Sequence, residues 1–169
     1  MSFFKRLFKG TDEKIPETKD RTLQNLRVGD FVTYDLADYE VAGKIHYNDG
    51  GYTWDAYQLS GNGKTLWLSV ELDDELGVGI YEKIRIPGLE PGAKKVTHDG
   101  RTYYLDEEGR AYVKSEGRSE NVHGKNVDYY DYADDLEEHF LSVEVWGGDV
   151  EVSYGYEIEE YEVTILAGS

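Results

Sequence analysis

Two short runs hold the residue types best able to do chemistry: Trp67-Leu68-Ser69-Val70-Glu71 and Phe140-Leu141-Ser142-Val143-Glu144. Alternate residues of a strand share a face. Trp67, Ser69 and Glu71 therefore fall on one side, as do Phe140, Ser142 and Glu144, with a leucine and valine row opposite. A face that begins with a large aromatic is seldom left fully wet, so both rows are expected to be covered. Aromatic rings beside carboxylates suit a cationic ligand, through attraction to the ring face and ion pairing. Trp54, Tyr57 and Tyr130 extend the aromatic wall and complete the candidate ligand-binding set. Two glutamates presented by related units could alternatively flank a groove as acid and base, which requires their pKa values to be pushed apart. The plainer alternative is that each row packs against the other repeat, each glutamate pairing locally.

Other chemistry finds little support. His46, His98, His123 and His139 have no neighbour at ligand spacing, so they read as surface or structural histidines rather than zinc ligands. There are no cysteines, which excludes disulfides, thiolate metal sites and a cysteine nucleophile. Phosphate-cradling glycine loops and the Gly-x-Ser-x-Gly elbow are missing. The acidic runs Asp73-Asp74-Glu75 and Asp134-Asp135-Leu136-Glu137-Glu138 lack the ligand spacing of a calcium loop and read as solvated turns. No metal, cofactor or catalytic residue is assigned.

The formal net charge is −17 over 169 residues. Lys5, Arg6 and Lys9 concentrate basic charge at the start, leaving −20 on the remainder. Such a body is repelled by nucleic acid and attracts cationic partners: metal ions, a polyamine or a basic protein. Solubility alone is the simpler account of the same charge. On a helix, Phe3, Phe4, Leu7 and Phe8 share one face and Lys5, Arg6 and Lys9 the other. So short a helix needs a surface to fold on, whether an anionic membrane interface, a partner's groove or the chain's own body. No apolar run approaches the roughly 20 residues that span a bilayer, and no secretory signal is evident. The expected location is cytoplasmic, with peripheral contact at the inner face of the membrane through residues 2–9.

The elements that must position these residues are strands. Turn signals recur through the chain, among them Asn48-Asp49-Gly50-Gly51, Asp99-Gly100 and Gly147-Gly148. About eleven or twelve short strands follow, as in sandwiches and barrels. The Leu-Ser-Val-Glu match has flanking echoes: Trp54-Asp55-Ala56-Tyr57 with Tyr130-Asp131-Tyr132, and Val78-Gly79-Ile80-Tyr81 with Glu151-Val152-Ser153-Tyr154. Self-similarity at a fixed period signals a duplicated unit. The fold expected is all-β: two tandem pseudo-repeats of antiparallel strands forming packed small barrels or a sandwich, plus a short amphipathic N-terminal helix. The organisation is a basic amphipathic segment (1–10), a linker (11–22), β repeat 1 (23–86), a Pro/Gly linker (87–95) and β repeat 2 (96–169).

Leu26-x-Val28-Gly29-Asp30, Tyr39-Glu40-Val41-x-Gly43-Lys44-Ile45, Tyr52-x-Trp54-x-x-Tyr57-x-Leu59 and the two aromatic-Leu-Ser-Val-Glu runs, with Trp146-Gly147 and Ser153-Tyr154-Gly155, together resemble the bacterial domain of unknown function 4178 family. The resemblance spans nearly everything from residue 23 and supplies no catalytic residues. It implies a genomic neighbourhood of membrane-stress proteins of the phage-shock type and polyamine-synthase-like proteins. The function expected is a non-catalytic accessory binding or scaffold module, linked to membrane stress, receiving a basic partner or small cation on acidic aromatic faces. Liposome flotation checks the N-terminal docking: the full chain is expected to float with anionic vesicles and residues 11–169 to stay behind. Equal flotation excludes membrane docking by this segment.

Overall fold

A computed structural model describes residues 21–166; the expected N-terminal helix and most of the first linker lie outside them. The strands are β1 (Phe31–Tyr34), β2 (Ala37–Asp49), β3 (Tyr52–Gly61), β4 (Lys64–Leu72), β5 (Leu76–Ile84), β6 (Lys95–His98), β7 (Arg101–Gly117), β8 (Asn126–Ala133), β9 (Phe140–Trp146), β10 (Asp149–Ile158) and β11 (Val163–Ile165). Tight turns follow the glycine signals: Gly50, Gly51, Gly63, Gly100 and Gly147 all take positive φ, which costs glycine little. The described residues form an all-β structure.

In place of two small barrels or a sandwich, the chain forms one closed barrel. Strands β2 to β5 make one antiparallel meander and β7 to β10 another, and the two join along both edges. At one seam Tyr81 of β5 lies opposite Gly155 of β10; at the other Ile45 of β2 lies opposite Ser115 of β7. The physical reason is edge satisfaction, because each four-stranded meander has two bare rows of N–H and C=O groups and closure pairs them all. Strand β2 is shared: its first half pairs with β1, its second with β7. Gly43 and Gly117 face each other where β2 changes partner, and a Cβ on Gly43 would run into the side chains of Ser119 and Gln58.

Apolar rows point outward as well as inward. Leu66, Leu68, Val70, Val78 and Ile80 are buried on the outside of the first meander, covered by Leu23, Leu26, Val32 and Val163 from the β1–β11 flank. Leu141, Val143 and Val152 of the second meander are covered by Val96 and Tyr103, with Ile86 and Leu89 of the Pro/Gly segment packed against them. Ile45, Tyr47, Ala111, Val113, Val127 and Tyr129 form a third cluster inside the barrel. With outer layers holding most of the aliphatic core, part of the interior is free for polar side chains.

Gly155 tests the β5–β10 seam. A Cβ there would overlap the Tyr81 ring and the Ile80 carbonyl. Gly155→Ala is expected to cost about 1–3 kcal/mol through overpacking, read as a lower urea midpoint. An unchanged midpoint means the ring is not seated on that glycine.

Candidate functional site: an acidic, aromatic bore

An eight-stranded barrel is wide enough to be filled by side chains or to hold one small ligand. Here the interior keeps a cavity of about 380 Å³. Because the side-chain period is two, β4 sends Leu66, Leu68 and Val70 to the outer core and Trp67, Ser69 and Glu71 to the cavity, while β9 sends Leu141 and Val143 out and Phe140, Ser142 and Glu144 in. Both rows picked out from the sequence thus line one bore. Trp54 joins them, stacked on Tyr47 at 5.0 Å and edge-on to Tyr129 at 5.2 Å.

Tyr57 and Tyr130 do not. Tyr57 is fully buried in the outer core opposite Leu68, and Tyr130 packs in the outer cluster opposite Val143. The flanking echoes were each out by one residue, and a one-residue slip reverses a strand's faces. Ala56 lies opposite Ser69, and Asp131 lies opposite Ser142. The counterpart of Trp54 is therefore Tyr129, and that of Tyr57 is Tyr132. Trp67 likewise faces Tyr81 while Phe140 faces Gly155, so Tyr154 is not the equivalent of Tyr81.

Sequence reasoning missed Asp131, Tyr47, Tyr81, Lys83 and Glu151, all of which line the cavity. Alternation counted straight back from Ser142 would put Tyr132 on that face; the 134–139 turn shifts the parity by one and brings Asp131 there.

Six lining residues are acidic, Glu71, Asp106, Glu107, Asp131, Glu144 and Glu151, against two cations, Lys83 and Arg118. The cations belong to the end formed by the β7–β8 connection and the C-terminal part of β5, whereas Glu71, Asp106 and Glu107 lie toward the opposite end. Lys83 Nζ is 3.1 Å from Glu151 Oε1 and 5.5 Å from the Trp67 ring centroid. The Tyr47 hydroxyl donates to Glu144 Oε2 at 2.7 Å, and the Tyr129 hydroxyl to Asp49 Oδ2 at 2.6 Å.

Burial pushes the Asp131 carboxyl up to about 8, with the charges of Glu144, Glu107 and Glu71 adding to it. Burial also raises Glu144, partly offset by its hydrogen bonds from Tyr47 and Trp146, and raises Glu71 with help from Glu107. The cause in each case is a low-dielectric site shared by like charges.

The histidines are dispersed. His46 Nδ1 lies 2.7 Å from Asp55, and His139 Nδ1 lies 2.7 Å from the Tyr154 hydroxyl. The Ser115 backbone N–H donates to His123 Nδ1. In the acidic turn Asp134 is buried and accepts hydrogen bonds from the backbone N–H groups of Glu138 and His139. Among the described residues no group of three or more His, Asp or Glu could hold a metal ion.

Fold and site together define a closed-barrel protein with an anionic, aromatic interior. The chain belongs to the DUF4178 family, a domain of unknown function, whose model matches residues 27–160. Similar proteins include uncharacterized proteins of Mycobacterium bovis and of two strains of Mycobacterium tuberculosis. Each is 32% identical over 149 residues, covering 84% of this chain and 72% of the relative. No solved structure matches the chain.

A carboxyl whose folded-state pKa is raised favours the native state below the unfolded pKa and loses that contribution as pH climbs to the folded value. Asp131→Asn removes the effect. Relative to wild type it is expected to gain stability from about pH 4 to about pH 8, by roughly 3–5 kcal/mol in all, and to level off above. Melting temperatures across that range read it; a pH-independent difference would mean that Asp131 titrates normally.

Proposed function

We propose that this chain is a non-catalytic binding module whose bore takes up an organic polycation of the polyamine class. The observation that carries the reading is the gathering of carboxylates around one bore, four of them half-buried and Asp106 and Glu107 exposed. Six acids against two cations face a cavity of about 380 Å³ walled by strands on every side. A folded basic protein cannot enter such a space; a threadlike amine can. The volume lies within the range of small-molecule sites.

Lys83 supplies an internal example of the guest, since its ammonium is held between the Glu151 carboxylate and the Trp67 ring. Carboxylates spread along the bore, from Glu71 toward one end to Glu151 toward the other, match several amines joined by methylenes better than one compact charge. The methylenes would lie against Trp54, Trp67 and Phe140. Divalent metals, which take six or more oxygens in a tight shell, find no described cluster of that kind.

The two meanders read as a tandem duplication. Each has four consecutive strands, and each brings an aromatic-Leu-Ser-Val-Glu run to the same bore. Residues 2–9 would tether the barrel to an anionic membrane surface or to a partner protein. This is the arrangement of an accessory module acting beside a membrane.

A second reading is favoured by one observation, the raised Asp131 carboxyl beside Glu144. A protonated and an ionised carboxyl side by side is what acid–base catalysis needs. The sequence-based choice of Glu71 with Glu144 gives way in this version to Asp131 with Glu144.

Thermal unfolding at pH 8.5 and matched ionic strength separates the possibilities. Spermidine is expected to give a saturable rise in melting temperature, with 100-fold excess over Kd worth about 2.7 kcal/mol. Magnesium, calcium and a neutral polyol should not. Glu144→Gln and Trp67→Ala are each expected to weaken spermidine at least tenfold. Equal small shifts from every cation would reduce the effect to screening and end the proposal. Recovery of chemically altered spermidine would favour the enzyme.

A further inference from the structure

Asp131 of β8 faces the bore, opposite Glu107 of β7 on one side and Ser142 of β9 on the other. Ala56 holds the matching place in the first meander, opposite Ile45 and Ser69. One half of the barrel therefore presents a methyl group where the other presents a carboxyl. The groups around Asp131 are acidic or phenolic: Glu71 on β4, Asp106 and Glu107 on β7, Glu144 on β9, Tyr81 on β5, Tyr47 on β2 and Tyr129 on β8 itself.

The cations of the wall are held elsewhere. Lys83 pairs with Glu151, and Arg118 donates to Ser60 Oγ at 3.4 Å. Among the described residues no lysine or arginine forms an ion pair with Asp131, Glu144 or Glu71.

We propose that the bore takes up its polyamine in exchange for a proton stored on the Asp131, Glu144 and Glu71 carboxyl cluster. The inference rests on the reading of the bore as a polycation site and adds its regulation. Six carboxyls that share a low-dielectric space with only two cations, Lys83 and Arg118, resist ionising together. Without a guest the cluster keeps a proton, and Asp131, raised by burial and its neighbours to about 8, is a group that holds one. An entering ammonium, fully protonated below about pH 9 by the ordinary amine pKa, supplies the countercharge. The carboxyl O–H then gives its proton to solvent, and an N–H···O contact replaces it. One ammonium charge takes the place of each proton released, and the guest's other ammonium groups pair with carboxylates of the bore that are already ionised. The consequence is a site that fills in alkaline and empties in acidic surroundings, over the range where the cluster titrates.

Calorimetry of spermidine binding to the full chain, in buffers of differing ionisation enthalpy, counts the protons. About one proton per spermidine is expected to be released near pH 7. The affinity should rise close to tenfold per pH unit between about pH 6 and 7.5, then flatten above about 8.5. Asp131→Asn is expected to bind with a much shallower pH slope and to release correspondingly fewer protons. Carbon-13 NMR of the ligand-free chain should place the Asp131 midpoint well above the ordinary value near 3.9.

Binding of spermidine without proton release, or an Asp131 midpoint near 4, overturns the exchange and leaves the binding site standing. A raised Asp131 midpoint with no saturable spermidine binding overturns the reading of the bore, and the exchange with it.

Discussion

A four-stranded meander has two bare edges, and this chain joins both edges of one meander to both edges of another. The pairings of β2 with β7 and of β5 with β10 decide which side of every strand is inside. Once the barrel closes, side-chain parity leaves each strand one choice, and a register slip at either seam would exchange bore and outer face throughout that meander. The glycines at the seams follow from this. Gly155 lets the Tyr81 ring lie flat across β10, and Gly43 with Gly117 lets β2 leave β1 for β7 without a side chain in the corner.

Closure also explains how the interior can afford its carboxylates. A barrel this small usually fills itself with aliphatic side chains. Here Leu68, Leu141, Val143 and their neighbours are already buried on the outer faces, under β1 and β11 on one side and under β6 and the 85–98 connection on the other. Stability comes largely from these wrappings, together with an apolar patch inside around Ala111, Val113 and Val127. The rest of the interior is free to hold groups that oppose folding. Asp131, Glu144 and Glu71 are such groups, each raised because its surroundings resist its charge.

The all-β class and the two aromatic-Ser-Glu rows were legible because alternation is a local signal and both runs are short and regular. Their meeting in one bore was less so, because the sequence left barrels and a sandwich equally open. Tyr57 and Tyr130 were misplaced for a specific reason. The echo that paired Trp54 with Tyr130 looked natural by residue type, but the connection between β8 and β9 sets the register so that Tyr129 faces inward. Turn lengths are what fix parity between strands, and similarity of composition does not report them. Asp131 was overlooked on the same count, standing in a tyrosine-rich strand whose inward face could not be told from its outward one.

The two halves are alike in path but unlike in what they place in the bore. Tyr81 faces Gly155, Tyr47 lies where the second meander has Gly109, and Asp131 where the first has Ala56. The Tyr81 ring thus lies over a glycine of the other half, and the Asp131 carboxyl, raised by burial, belongs to one half alone. A strictly two-fold bore would present equal ends to a ligand, and its charges would come in identical pairs. This one is polar along its length, with Lys83 and Arg118 toward one end and Glu71, Asp106 and Glu107 toward the other. A guest with unlike ends, or one fixed at one end by a single carboxyl, would lie in it in one direction. On the proposed reading of the bore as a ligand site, the departures from symmetry would set the direction of a guest more than the symmetric rows that first drew attention to it.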